Sequence, residues 1–190
     1  MYLITDTITA VSSPSWHSGV IIRLTGPDVL NYVNQFLEPY IAANSERGIF
    51  RGIWKVDRQL DWDVLLYIFD AEHSYTAQPL AEIHMDANRA ITEAIVEGLI
   101  ACGARQASPG EFTARRYLNG RIDISQAEAV NEVVSSSNEL QLEAAERLMA
   151  GGLSRGILHV ADELLKLLSL IEAGLDFSDQ SISPFTPEGL

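Results

Sequence analysis

The chain has 190 residues and a single cysteine, Cys102. One thiol closes no internal disulfide, and neither a Cys-x-x-Cys pair nor a Cys/His cluster offers zinc a ligand set. That scarcity suits a reducing compartment. Long apolar runs are missing too: no stretch reaches the roughly 18 residues that cross a bilayer. The first residues, Met1-Tyr2-Leu3-Ile4-Thr5-Asp6, lack the basic region and apolar run of a secretory signal. A cytoplasmic location is expected. No Gly-x-x-x-x-Gly-Lys-Ser/Thr occurs, so the loop that cradles nucleotide phosphates is absent. Basic charge is also scarce, with 13 Lys+Arg against 26 Asp+Glu and a net charge of −13. Such a surface repels phosphate backbones, so nucleic acid should bind this stretch weakly or not at all.

What is present is apolar substance, 47% of the residues, enough for one well-buried domain and part of a second. The first half alternates strand-like runs with short helices. Residues 2–11 and 19–25 are rich in Ile, Val and Thr, with the turn formers Ser12-Ser13-Pro14-Ser15 between them. Residues 49–56 and 60–69 flank Asp57-Arg58-Gln59 and read as an antiparallel hairpin; residues 79–85 read as a further strand. Gly26-Pro27-Asp28 opens a helix, with proline in its first turn. Asn88 caps a second, whose Ile91, Ile95 and Leu99 repeat every four residues before Gly103 ends it. Ser108-Pro109-Gly110-Glu111 reads as a capping box for a third, short helix stopping near Asn119-Gly120.

From Ser125 the pattern changes. Ser125-Gln126-Ala127-Glu128 is another capping box, and the run onward to Ala150 contains neither Gly nor Pro. After Gly151-Gly152, the residues Leu153, Ile157, Val160, Leu164, Leu167 and Ile171 recur at heptad spacing. This predicts an α+β fold: a mixed sheet-and-helix domain over residues 1–120, then two long antiparallel helices over 125–150 and 153–175 within a region 121–190. Two helices alone leave such a seam partly uncovered, so further partner helices are expected. Residues 176–190, with Pro184 and Pro187, read as a linker leading onward.

Three stretches resemble the TrmE/MnmE family of tRNA-modification GTPases. Asp6-Thr7-Ile8-Thr9-Ala10 with Gly19-Val20-Ile21-Ile22-Arg23-Leu24-Thr25-Gly26 is similar to its opening strands. The strongest match is Pro109-Gly110-Glu111-Phe112-Thr113-Ala114-Arg115-Arg116-Tyr117-Leu118-Asn119-Gly120-Arg121-Ile122-Asp123-Ile124-Ser125-Gln126-Ala127-Glu128-Ala129-Val130. Glu172-Ala173-Gly174-Leu175-Asp176-Phe177-Ser178-Asp179 resembles the segment that ends the family's second long helix. The resemblance implies an aminomethyltransferase-like N-terminal domain that dimerises and binds 5-formyltetrahydrofolate or another tetrahydrofolate. It also implies the start of a helical domain, truncated before the GTPase domain. With a flavin-dependent MnmG/GidA-type partner, the whole family protein modifies the wobble uridine of tRNA, and folate supplies the one-carbon unit. This stretch, lacking the phosphate loop, should hydrolyse no GTP alone.

The family's folate-contacting positions fall on Arg23, Glu82 and Arg121. A pterin presents a ring N–H beside an exocyclic amino group, an edge that the Glu82 carboxylate can accept with both oxygens. Folate's tail carboxylates and formyl oxygen suit guanidinium donors at Arg23 and Arg121. Glu82 is expected to anchor the pterin, with the three residues converging on one pocket. Each has a plainer explanation: a snorkelling strand arginine or structural ion pair for Arg23, a solvent-facing strand residue for Glu82, a turn-stabilising salt bridge for Arg121. His17, His73, His84 and His159 are scattered without metal-ligand spacing and read as packed or surface histidines; Trp16, Trp54 and Trp62 read as core. The sequence also departs from the family's Gly-His-Gly-Gly loop, with His84-Met85-Asp86-Ala87-Asn88 after Glu82-Ile83. The family's Thr-Gly-Glu-Asp is altered to Thr76-Ala77-Gln78-Pro79. Fewer glycines mean less positive φ and less close backbone approach. The competing reading is an interaction module that keeps the fold and dimer but has lost folate.

Overall fold

The computed structural model describes residues 4–12, 19–42, 47–57 and 60–176. The chain forms two compact units, Met1–Ile122 and Asp123–Leu190. Strands and helices mix in the first, and among the described residues the second is helical, an α+β arrangement.

The first unit is built on a seven-stranded sheet. Its strands are β1 (Ile8–Val11), β2 (Val20–Thr25), β3 (Leu37–Glu38), β4 (Gly48–Asp57), β5 (Leu60–Phe69), β6 (Leu80–Met85) and β7 (Arg105–Gln106), in the order β3-β4-β5-β6-β2-β1-β7. Neighbours are antiparallel except β1 and β7. Strict alternation along the central strands decides which face is core. Val20, Ile22 and Leu24 of β2, Val64, Leu66 and Ile68 of β5, and Ala81, Ile83 and Met85 of β6 are all buried in one cluster. Helix α2 (Arg89–Ala101) presses Ile95 and Leu99 into that cluster; fully burying such a side chain is worth about 1.5–3 kcal/mol. Asn88 caps it by accepting from the Ile91 N–H at 3.0 Å, and Gly103, at φ +113°, follows its end as expected. Trp54, fully buried, stacks on Phe36 with centroids 5.3 Å apart.

Short helix α1 (Val29–Val33) begins after Gly26, where only glycine serves. Its φ is +140°, and a Cβ there would stand 2.5 Å from the Thr7 Cα. Helix α3 (Glu111–Leu118) starts as expected near residue 108, although its cap is Gly110 in left-handed conformation. Half of the capping box survives: the Glu111 carboxylate accepts from the Ser108 N–H at 2.8 Å.

The second unit departs from the sequence expectation in two respects. The run expected as one helix over 125–150 is two, α4 (Ile124–Ser135) and α5 (Glu139–Met149). Ser135 and Ser136 turn their hydroxyls back onto the Asn131 and Val133 carbonyls at 2.9 Å. Ser136 is extended at ψ 133°, and Asn138 caps the next helix through the Gln141 N–H. Short polar side chains here compete with the helical ladder and win. The capping box that opens α4 also sits two residues earlier than expected, between Asp123 and Gln126. Asp123 further holds Ser154 at 2.6 Å, at the start of α6 (Gly152–Asp176). The heptad row of α6 is uncovered among the described residues, with Leu153, Ile157 and Leu164 about half exposed or more. No helix among those residues is long and apolar enough to cross a membrane. The stretch expected as a linker lies, beyond Asp176, outside them.

Candidate functional site

On the central strands, residues alternate with the core and look out from the opposite sheet face. In the antiparallel register of β2 and β6, Arg23 stands directly across from Glu82. The sequence could not show this pairing, because 59 residues separate the two. Arg23 Nε and Nη2 both donate to Glu82 Oε1, at 2.8 and 2.6 Å. His84, two residues along β6 and on the same face, lies with Nε2 3.1 Å from Glu82 Oε2. An ionised carboxylate only accepts, so Nε2 carries the proton donated to it. The His84 ring rests against Tyr67 of β5, centroids 4.5 Å apart. Arg23 and Glu82 keep 28% and 18% of their side-chain surface, enough for a ligand to reach them. Burial pushes the Glu82 carboxyl up, but hydrogen bonds from Arg23 and His84 outweigh it and hold the group below the ordinary glutamate value.

Aromatic rings enclose this pair from a second element. The Arg23 guanidinium carbon lies 5.7 Å from the Phe112 ring centroid and 6.0 Å from that of Tyr75. Phe112, Thr113 and Arg116 share one side of α3, since i and i+4 fall on one helix face. The Tyr75 hydroxyl meets the Thr113 hydroxyl at 3.0 Å, and Arg116 lies over the same Tyr75 ring at 4.6 Å. No ion pair joins Arg121 to Glu82, whose partner is Arg23. The Arg121 Nη2 donates to the Glu72 carbonyl at 2.8 Å, at the turn that leads into Tyr75. Where its plainer explanation was a turn-stabilising salt bridge, Arg121 bonds to backbone carbonyls of that turn instead.

The other side of α3 carries a buried ionic network that sequence reasoning missed. Glu111 and Arg115 are both fully buried. Glu111 accepts from Arg105 through both oxygens and from Arg115 at 3.4 Å. Arg115 also donates to the Asp6 carboxylate, the Asp6 carbonyl and Gln78. Burial pushes the Glu111 and Asp6 carboxyls up, but their arginine partners reverse this and hold both below their usual values. The network pins α3 to the strand entrance at Asp6 and to β7, and so fixes where Phe112 and Arg116 point. Only the Ser108-to-Glu111 spacing hinted at it.

The remaining aromatic and histidine candidates mostly keep structural roles. Trp62 donates to the Asp86 carbonyl at 3.1 Å, and His73 lies 2.8 Å from Asp70; Trp16 and His17 lie outside the described residues. Among the described residues no cluster of three or more His, Cys, Asp or Glu could hold a metal. A groove of about 710 Å³ runs beside the Glu82–His84 row, lined by Arg51, Asp63, His84 and Glu38 among others.

A mixed sheet with helices and an outward Arg–Glu–His row, followed by a helical unit, defines an α+β domain joined to a helical domain. The models for "GTP-binding protein TrmE N-terminus" and "MnmE helical domain" match residues 7–121 and 124–190. The chain belongs to the MnmE family of tRNA-modification GTPases. It is 36% identical over 186 residues to the tRNA modification GTPase MnmE of Aquifex aeolicus, covering 96% of this chain and 41% of that protein. The namesake proteins of Protochlamydia amoebophila and Caldicellulosiruptor saccharolyticus are 35% and 36% identical, over 97% and 96% of this chain and 41% of each relative. The chain thus spans about two fifths of the length of these relatives.

Proposed function

We propose that this chain is the tetrahydrofolate-binding and dimerising part of a tRNA-modification GTPase. The whole protein would act with a flavin-dependent partner of the MnmG/GidA type on the wobble uridine of tRNA. The observation that carries the reading is the Arg23–Glu82 pair, partly open to solvent, walled by Tyr75 and Phe112. The donor set fits a reduced folate: a carboxylate for the pterin's paired N–H edge, rings for its aromatic portion, and guanidinium groups for its oxygens. The bound folate would supply a one-carbon unit. Glu82 orients the pterin, and Arg23 and Arg121 face its acceptors.

Calorimetric titration with 5-formyltetrahydrofolate tests this. Glu82→Gln keeps the shape but offers an unwanted donor to a donor edge. Losing a charge-assisted hydrogen bond, about 1.5–3 kcal/mol, weakens binding roughly 10- to 150-fold at about 1.4 kcal/mol per decade. Equal affinity in both proteins means Glu82 is not the anchor.

One observation favours a second reading, an interaction module without folate. Glu82 already accepts from both Arg23 and His84. The segment after it, where the family carries glycines, holds the nearly buried Ala87 and the helix cap Asn88. A wild type that takes up no folate selects that reading.

A further inference from the structure

We propose that Arg116 is a further binding residue of this site, one that takes a carboxylate of the ligand's glutamyl tail; the inference rests on the folate reading. In a chain with twice as many acids as bases, the neighbouring arginines have found carboxylates: Arg23 holds Glu82, Arg105 and Arg115 hold Asp6 and Glu111. Arg116 has none. Among the described residues its guanidinium makes no ion pair or hydrogen bond, and its buried Nε–H lacks any acceptor. A donor left unsatisfied beside a protein's acidic surface is unusual, because such a group forfeits its hydration without compensation.

Position gives the vacancy its meaning. The Arg116 guanidinium carbon lies 4.6 Å from the Tyr75 centroid, over the ring that Arg23 also approaches, so the two guanidinium groups border one aromatic wall. The backbone stays tight from Arg116 to Arg121, whose N–H bonds to the Arg116 carbonyl at 3.0 Å. The ion network beneath α3 and the Tyr75–Thr113 bond hold this side of the helix in place. An arginine offers donors only, arranged as a fork that matches a carboxylate. Glu82 suits the pterin's donor edge, so the charged acceptors left for Arg116 are those at the tail.

Three titrations of the 190-residue protein decide the matter: 5-formyltetrahydrofolate, the tail-less 6-methyltetrahydropterin, and the tail fragment p-aminobenzoylglutamate. Arg116→Gln should weaken the complete folate about tenfold, the scale of one charge-assisted hydrogen bond at a partly exposed position. It should leave the tail-less pterin within about twofold, and Arg116→Lys should recover part of the loss. No loss, or the same loss for folate and pterin, overturns the assignment. If the wild type binds no folate, the folate reading fails by itself. The Arg116 Nε–H resonance then decides: a shift on adding p-aminobenzoylglutamate, absent in Arg116→Gln, upholds the carboxylate site, and no shift overturns it. Unchanged circular dichroism and melting temperature verify that the variant is folded.

Discussion

Replacing Glu111 by Gln is the sharpest test of the packing argument, because it deletes one charge from a network whose other members remain. Glu111 and Arg115 are both fully buried, whereas Arg105 and Asp6 keep 42% and 28% of their side-chain surface. The variant keeps the volume and one acceptor, yet it turns an amide N–H₂ toward guanidinium donors. Breaking a buried pair by removing one partner costs about 3–5 kcal/mol. Asp6 and Gln78 still serve Arg115, so the lower end, about 3 kcal/mol, is expected. With a urea slope of about 1–3 kcal/mol per molar, the midpoint falls by roughly 1–3 M. The exposed Arg89–Glu93 pair supplies the control: Glu93→Gln should barely move the midpoint, because solvent screens such a helical surface pair. Urea denaturation followed by circular dichroism measures both. If Glu111→Gln shifts the midpoint no more than Glu93→Gln does, the buried network does not hold α3. A double variant, Glu111→Leu with Arg115→Met, should regain more than half of the loss, since paired apolar replacements of buried ions are often neutral.

Stability should also fall with acid. Asp6, Glu82 and Glu111 all titrate below their ordinary values of 3.8 and 4.5, so their contribution is present above those values and is lost as pH falls through the lower folded ones. Melting temperature should decline below about pH 5, less steeply in Glu111→Gln; a wild-type profile flat down to pH 3 contradicts the ion-pair account. Light scattering should show a homodimer of the 20.9 kDa chain at micromolar concentration, and a monomer alone refutes the dimerising role.

How much was legible depended on whether a residue's role is set by its neighbours in sequence. The hairpin of β4 and β5 was readable because two long strand-like runs flank the short polar connection at Asp57-Arg58-Gln59. The two-residue strands β3 and β7 were not, since two residues carry no period. The break between α4 and α5 was overlooked because Ser136-Ser137-Asn138 contains no Gly or Pro, although the Ser136 and Asn138 side chains take backbone partners and the Gln141 side chain accepts from the Ser137 N–H. In the site, Arg23 and Glu82 were found through the family resemblance, yet their mutual ion pair depends on the β2–β6 register, which no local pattern encodes. His84 was set aside as an ordinary histidine, and only the strand's two-residue period, which puts it on the Glu82 side, could have suggested otherwise.

That register also shapes how a ligand must bind. A carboxylate offers about four acceptor positions, and Glu82 already uses three: two on Oε1 toward Arg23 and one on Oε2 toward His84. A pterin edge needs one position on each oxygen, so Oε1 must release at least one Arg23 bond. The proposed pterin binding at Glu82 would therefore be an exchange, its affinity reflecting the new pair minus the old one. The guanidinium set free is not stranded, because Tyr75 and Phe112 remain beside it and the ligand brings acceptors of its own. Arg23 thus keeps Glu82 ionised and oriented, and on the proposed folate reading it is the donor that would be redirected when the ligand arrives. His84, bonded to the other oxygen and resting against Tyr67, would hold the carboxylate plane during that exchange.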